Sequence, residues 1–200
     1  SLVGSEMCIR DRLMTSLSAQ TKFLELAFTK ALEQAKGENK MVFVDCYTSW
    51  CGPCKMLAKN VFTQDKVADF YNTEFVCVKM DMEKGEGKDL QKRYGVSAFP
   101  TMFLLDGDGN VVYKILGGRD VRSFMESIKR GKEQEIPYYT LKNRYDMGDR
   151  SVEVMADYFL TMSDAGEMRN AEGEARSYIS TLKVPELYSN CLLYTSDAAD

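Results

Sequence analysis

The feature that most constrains this chain is a pair of cysteines, separated by two residues, at the junction of a strand and a helix. The run Met41–Tyr47 is almost continuously apolar and β-rich, which predicts a strand buried on both faces of a sheet. The motif Trp50-Cys51-Gly52-Pro53-Cys54-Lys55 follows, and a helical pattern continues to Asn60. The sequence therefore predicts two thiols on the first turn of a helix.

This placement favours thiolate chemistry at Cys51. Unpaired backbone N–H groups and the positive end of the helix dipole stabilise a thiolate there, and only the thiolate attacks a disulfide. Cys54 lies one turn further on, within reach of Cys51. Pro53 is tolerated because the N–H that it lacks would have had no partner in the first turn, and together with Gly52 it restricts the loop. We therefore expect a dithiol that is held ready to close.

The rest of the first 131 residues predicts an α/β domain with a mixed sheet. Asp106–Asn110 is dense in turn residues and predicts a hairpin, since the ligand spacing of an EF-hand calcium loop is missing. Gly37 is expected to close the first helix. The predicted helices are Thr21–Lys36, Cys54–Asn60, Thr63–Asn72, Lys88–Tyr94 and Asp120–Arg130, and the predicted strands are Met41–Tyr47, Phe75–Met80, Thr101–Leu105 and Val111–Leu116.

After Gly131 the pattern changes to helices alone, rich in tyrosine and acidic residues. They are predicted at Tyr138–Tyr145, Val152–Met162 and Ala171–Leu182. Their spacing suggests stacked helical hairpins, although so short a stretch establishes no repeat period. We expect a helical, repeat-like extension over residues 132–190 that is cut short.

Composition narrows the range of functions. The 200 residues include 26 basic and 30 acidic side chains, a formal charge of -4, which provides no basic field for nucleic acid. No run approaches the about 18 to 20 apolar residues of a membrane-spanning helix, so we expect no membrane insertion. The chain has no histidine. This excludes histidine-based metal sites and catalytic triads, and leaves proton chemistry to carboxylates, lysines and thiols.

Other uses of the cysteines are less favoured. A Cys-x-x-Cys pair can be half of a zinc site, but Cys46 and Cys77 lie singly in predicted strands and no histidine can complete four ligands. These two cysteines are most simply small core residues.

Both ends of the chain look foreign to the protein. The strand complementary to one possible coding of Met7–Asp11 encodes Cys191–Thr195, and both tails resemble translated adapter sequence from DNA library preparation. We therefore expect residues 1–12 and 191–200 to be non-native. Residues 13–19 resemble the remnant of a signal peptide, which predicts a periplasmic or otherwise exported protein, with a cytoplasmic one as the alternative.

With these features in place, the chain resembles the thioredoxin family over about Phe23–Gly131. The resemblance rests on the dithiol motif, Asp45 six residues before Cys51, Lys79 on the next buried strand, Phe99-Pro100-Thr101 and Gly117-Gly118. It is greatest to exported thioredoxin-like proteins of Bacteroidetes with a helical C-terminal extension. It implies a thioredoxin fold, with a central mixed sheet flanked by helices, over residues 20–131.

The resemblance also implies roles for individual residues. Burial raises the pKa of a carboxyl toward neutrality, so Asp45 is suited to exchange a proton with Cys54, and Lys79 could moderate its charge. An alternative for Asp45 is a buried carboxylate with no kinetic role. Pro100 matches the family's cis-proline, which leaves the neighbouring backbone free to pair with an extended substrate. The remaining expected substrate contacts are Trp50, Gly52, Pro53, Phe99, Thr101 and Gly118.

These features predict a thiol-disulfide oxidoreductase that most simply reduces protein disulfides. Cys51 attacks the substrate, Cys54 resolves the mixed disulfide, and no metal or organic cofactor is needed besides the Cys51–Cys54 couple. The expected partners are disulfide-containing proteins and an upstream thiol electron donor, which could be a membrane carrier. The same site could serve an oxidase or isomerase. In a second hypothesis the extension binds clients and the thioredoxin domain is only a scaffold.

Overall fold

A four-stranded mixed sheet forms the centre of the molecule. The computed structural model describes residues 20–168 and 172–181, so the tails predicted at 1–12 and 191–200 and the leader predicted at 13–19 lie outside the described residues. The strands are Met41–Tyr47 (β1), Phe75–Asp81 (β2), Thr101–Leu105 (β3) and Val111–Leu116 (β4). The helices are Phe28–Glu38 (α1), Gly52–Asn60 (α2), Asp65–Glu74 (α3), Gly87–Arg93 (α4), Val121–Glu133 (α5), Tyr138–Asp146 (α6), Val152–Asp164 (α7) and Glu172–Thr181 (α8).

The strand order is β2-β1-β3-β4. β1 pairs in parallel with β2 and antiparallel with β3, and β3 pairs antiparallel with β4 across the predicted hairpin. In this register Asp45 lies opposite Lys79 on one side and Met102 on the other. The predicted α/β order with a mixed sheet is therefore confirmed.

Both faces of β1 are covered, as its apolar sequence predicted. On one face Phe43 packs edge-to-face against Tyr71, with ring centroids 4.7 Å apart, and Phe62 and Phe124 join the same cluster. The neighbouring β1 residues Val42 and Val44 face the opposite core, which includes residues of α1 and α4. Two cores on one central strand fix the strand's carboxyl end, from which the dithiol motif follows.

The helix predicted at Thr21–Lys36 is wrong at both ends. It begins only at Phe28, because the segment before it is extended: Leu24 forms a parallel bridge with Val78 and donates its N–H to Cys77 O at 2.8 Å. Gly37 does not end it either. Asn39 does so in the left-handed conformation at φ 52°, donating its N–H to Ala35 and Lys36 carbonyls.

The other elements agree with the predicted limits to within one turn. The largest difference is in α5, which was predicted to end at Arg130 and continues to Glu133. Helix ends depend on tertiary contacts that a local pattern does not contain.

The described part of the extension packs onto the domain. α6 and α7 contact each other, and both contact β4. Between the two helices, the rings of Tyr145 and Tyr158 stack with centroids 3.7 Å apart. Lys114 of β4 forms an ion pair with Glu167 at 2.7 Å. The domain limits 20–131 and 132–190 stay a prediction.

Candidate active site

The dithiol occupies the start of α2. Cys51 is the N-cap residue, and its sulfur accepts the backbone N–H of Cys54 at 3.1 Å. Pro53 lies in the first turn. The two cysteines are joined in a disulfide, with S–S 2.01 Å and Cα–Cα 5.3 Å, and both are buried. The geometry predicted for the motif, an N-terminal sulfur facing a backbone donor with its partner one turn away, is thus present.

Beside the dithiol stands an exposed aromatic surface. Trp50 is 65% exposed and meets the ring of Phe99 edge-to-face at 6.0 Å. Its Nε1 donates to Glu83 Oε1 at 2.9 Å. Glu83 was not among the site residues predicted from the sequence. The signal was present, because Glu83 follows β2, and the carboxyl ends of parallel strands β1 and β2 meet at the same edge of the sheet.

The loops on the other side of the dithiol are held close together. The Phe99–Pro100 peptide bond is cis, as expected from the resemblance. Gly117 donates its N–H to Pro100 O at 2.9 Å, and a Cβ placed on Gly118 would lie 3.8 Å from Pro53 Cβ. Thr101 and Pro100 are both buried, and the Thr101 hydroxyl donates to Ala98 O at 2.7 Å.

A groove of about 880 Å³ runs along α2 next to these loops. Its walls are mainly apolar, and Met56, which is 62% exposed, stands on its rim. Gly52 and Pro53 of the motif and Gly118 line it, so it is continuous with the dithiol. The remaining lining residues are Leu57, Asn60, Val61, Arg119, Asp120 and Val121.

Asp45 is buried within β1, and within the described residues Lys79 is the cation that forms an ion pair with it. Lys79 Nζ lies 3.0 Å from Asp45 Oδ2, and the Lys79 side chain is 27% exposed whereas that of Asp45 is 1% exposed. Neither carboxyl oxygen accepts a well-formed hydrogen bond from the described residues. Burial raises the pKa of Asp45, and the charge of Lys79 opposes the rise only in part. The ammonium also lies over the ring of Tyr47, 4.7 Å from its centroid.

The two other cysteines of the domain are free and buried. Burial raises the pKa of Cys77 to about 12 and that of Cys46 well above its ordinary value. Thiols that hold their protons so tightly are inert as nucleophiles. The prediction that Cys46 and Cys77 are core residues is confirmed.

The described part of the chain contains neither a candidate metal cluster nor a candidate membrane-spanning helix. Residues 20–168 and 172–181 contain no cluster of three or more Cys, Asp or Glu side chains that could hold a metal ion. Within the same ranges, none of the helices has the length and apolar character to cross a membrane.

Comparison with known proteins places the fold. A family model for a thioredoxin-like domain matches residues 28–132. Thioredoxin from Chlorobaculum thiosulfatiphilum is 30% identical over 96 residues, which cover 48% of this chain and 83% of that protein. Thioredoxin-T from Drosophila melanogaster is 35% identical over 80 residues, 40% of this chain and 47% of its own length. The match thus spans less than half of that relative.

Among solved structures, a candidate disulphide-isomerase from Bacteroides thetaiotaomicron is 48% identical, with a TM-score of 0.54. The match covers 59% of this chain and 98% of that one. The predicted thioredoxin fold is confirmed by the family match and by the sheet order around the dithiol. The chain belongs to the thioredoxin-like domain family.

Proposed function

We propose that this protein is a thiol-disulfide oxidoreductase that reduces disulfides in protein substrates through Cys51 and Cys54. The observation that carries the proposal is the disulfide at the start of α2, in which the sulfur of Cys51 faces a backbone N–H. A helix N-terminus stabilises negative charge, so the same position favours the Cys51 thiolate once the disulfide is reduced.

In the proposed reaction the Cys51 thiolate attacks one sulfur of the substrate disulfide. A mixed disulfide forms, and the other substrate sulfur leaves as a thiolate that takes up a proton. Cys54, after losing its proton, attacks the Cys51 sulfur, closes the Cys51–Cys54 disulfide and releases the second substrate thiol. The substrate gains two electrons and two protons, which a thiol donor returns to the enzyme in the next cycle.

Asp45 is the proposed proton acceptor for Cys54. A general base works best when its pKa lies near the operating pH, and burial moves this carboxyl in that direction. Lys79 is the proposed counter-ion that limits the rise. Trp50, Phe99 and the groove lined by Pro53 and Gly118 form the proposed docking surface, with the Pro100 backbone pairing with an extended substrate segment.

Insulin reduction with dithiothreitol as donor tests the reductase activity. We expect the unchanged protein to accelerate it and the Cys51→Ser variant to be inactive. The Cys54→Ser variant, reduced and then mixed with insulin after the dithiothreitol has been removed, should accumulate a mixed disulfide that fresh reducing agent releases. Cys46→Ala, at a buried cysteine outside the couple, is the matched control and should retain activity. No acceleration by the unchanged protein, or full activity of Cys51→Ser, would refute the proposal.

A second candidate function is disulfide isomerisation, which the 48% identity to the Bacteroides thetaiotaomicron relative supports. The reduction potential of the couple, measured in glutathione buffers, separates the two activities. Thioredoxin has a reduction potential of about -270 mV, and a similar value would support the reductase. A value above about -180 mV would support an isomerase or oxidase. Refolding of scrambled ribonuclease provides the parallel activity measurement.

Export of the protein is also part of this proposal. It is based on residues 13–19, which resemble the end of a signal peptide. Fractionation of the source cells by osmotic shock, followed by immunoblotting for the domain, tests it. Release with periplasmic markers is expected, and recovery with cytoplasmic markers would contradict it.

A further inference from the structure

The loop that follows β4 lies between the dithiol and the helical extension. Gly117 is tied to the Pro100 carbonyl, and Gly118 lies against Pro53. Arg119, the next residue, lines the groove beside the dithiol. The position of this loop therefore sets one wall of the surface proposed to receive substrate.

The extension holds the side chain of Arg119. Its Nη1 donates to Asp164 Oδ1, and its Nη2 donates to the Asp164 carbonyl at 3.2 Å. Nη1 also donates to Ser127 Oγ at 2.7 Å. Asp164 is the last residue of α7. The end of an extension helix therefore binds Arg119, which lines the groove, through a carboxylate oxygen and a backbone carbonyl oxygen.

Asp164 is itself held firmly in place. Its carboxylate accepts the hydroxyl of Tyr113 at 2.6 Å and an Nη1 hydrogen of Arg130 at 3.3 Å, and it is buried. Just after it, a Cβ on Gly166 would lie 2.4 Å from Leu116 Cδ2, so the end of α7 sits in direct contact with the end of β4. A carboxylate held by residues of β4 and α5 can fix Arg119 in turn.

A second set of contacts between the extension and β4, centred on Glu167, does not involve the Gly117–Gly118 loop. Glu167 pairs with Lys114 at 2.7 Å and with Lys142 at 3.2 Å, and it accepts the hydroxyl of Tyr138 at 2.8 Å. None of these residues lines the groove. Loss of the Glu167 contacts should weaken the packing of the extension without moving Arg119.

We infer that Asp164 is a positioning residue for substrate binding. Through Arg119 it holds the Gly117–Gly118 loop against Pro53 and Pro100, so the extension sets the affinity of the dithiol surface for protein substrates. This inference rests on the proposed reductase function and deepens it. A small disulfide needs only access to Cys51, so the groove wall does not increase its affinity. A polypeptide that lies along the groove contacts this wall, so its affinity depends on the position of the wall.

Steady-state kinetics of the full chain with two substrates, insulin and 5,5′-dithiobis(2-nitrobenzoic acid), test the inference. For Asp164→Asn we expect the KM for insulin to rise about threefold to tenfold, which lies within the range of couplings carried through packed networks, with kcat nearly unchanged. The rate with the small disulfide should stay at the wild-type level. Glu167→Gln is the control and should keep the wild-type KM for insulin.

Arg119→Lys provides the second measurement. It keeps the charge but loses the planar fork that reaches both acceptors of Asp164, so it should raise the KM for insulin as Asp164→Asn does. In the double variant the two effects should not add, because both break one link. Circular dichroism confirms that each variant is folded.

The inference is overturned if folded Asp164→Asn and Arg119→Lys keep the wild-type KM. It is also overturned if Glu167→Gln raises KM equally, because general loosening of the extension would then suffice. If Asp164→Asn does not fold, the KM of Arg119→Lys decides in the same way. Failure of the proposed function gives a different result: the unchanged protein reduces neither substrate.

Discussion

Replacing Asp45 with asparagine is expected to make the oxidised protein more stable and less active. The carboxyl is 1% exposed and has one cation 3.0 Å away, which is itself 27% exposed. Asparagine fills nearly the same volume without a charge to desolvate, and Lys79 loses little because water reaches it. Each tenfold loss of acidity caused by burial corresponds to about 1.4 kcal/mol against the charged form, so removing the charge should stabilise the protein by about 1 kcal/mol or more at pH 8.

The gain depends on pH with a definite sign. The folded-state pKa of Asp45 is raised, chiefly by burial, above the ordinary value of 3.8. Between the two values the folded protein binds more protons than the unfolded chain, so the free energy of unfolding falls as the pH rises. Each tenfold difference in proton affinity contributes about 1.4 kcal/mol. The advantage of Asp45→Asn should therefore grow from near pH 4 upward and level off above the folded-state pKa.

Urea unfolding of the oxidised protein from pH 4 to pH 9 measures this difference. The rate of insulin reduction at pH 7 should fall by about tenfold or more, because the proton acceptor is lost. Lys79→Gln is the matched control. It leaves the carboxylate buried without its cation, so it should lower stability at pH 8 by about 1–3 kcal/mol, discounted because Lys79 is partly exposed. A destabilised Asp45→Asn, or a difference that is flat from pH 4 to pH 9, would refute the reasoning.

Three further predictions concern two substitutions that should lower stability and the reactivity of the buried thiols. Gly131→Ala places a Cβ 2.5 Å from the ring of Tyr113, so it should lower the free energy of unfolding by about 1–3 kcal/mol in urea titration. In the reduced, folded protein at pH 7, Cys46 and Cys77 should resist iodoacetamide, as measured by peptide mass mapping, because both are buried and their pKa values are raised. Asp120→Ala removes the N-cap of α5 and should cost about 1 kcal/mol in the same titration.

Each of these has a control within the chain. Gly37→Ala, where a Cβ meets nothing within 4 Å, should leave stability equal or higher. Cys51 should be alkylated in the folded protein under conditions that spare the two core thiols. Asp120→Asn should retain most of the cap, because asparagine also accepts the Ser123 N–H. Equal effects of a change and its control would contradict the corresponding prediction.

The elements predicted best are those whose sequence pattern expresses burial directly. The limits of β1, β3 and β4 were predicted residue for residue, since strands covered on both faces or joined by a tight turn carry continuous local signals. The start of α1 could not be predicted, because Leu24 is extended only through pairing with Val78, more than fifty residues away. Periodicity contains no information on such pairing.

The same distinction separates the parts of the site. The dithiol and its helix follow from adjacent residues, and the resemblance to a family added Asp45, Lys79 and Pro100. The Arg119–Asp164 contact joins residues 45 positions apart and depends on how the extension packs against β4. No motif marks it, so only the fold could place it beside the dithiol.

Asp164 and Asp45 are both buried carboxylates, but different groups surround them. This difference predicts their roles. Asp164 accepts hydrogen bonds from Tyr113, Arg119 and Arg130, which make it a fixed point of the packing. Asp45 has one cation and no well-formed hydrogen bond within the described residues. A carboxyl left so poorly solvated takes up a proton readily. Of the two, Asp45 is therefore suited to move a proton, and Asp164 to hold a loop.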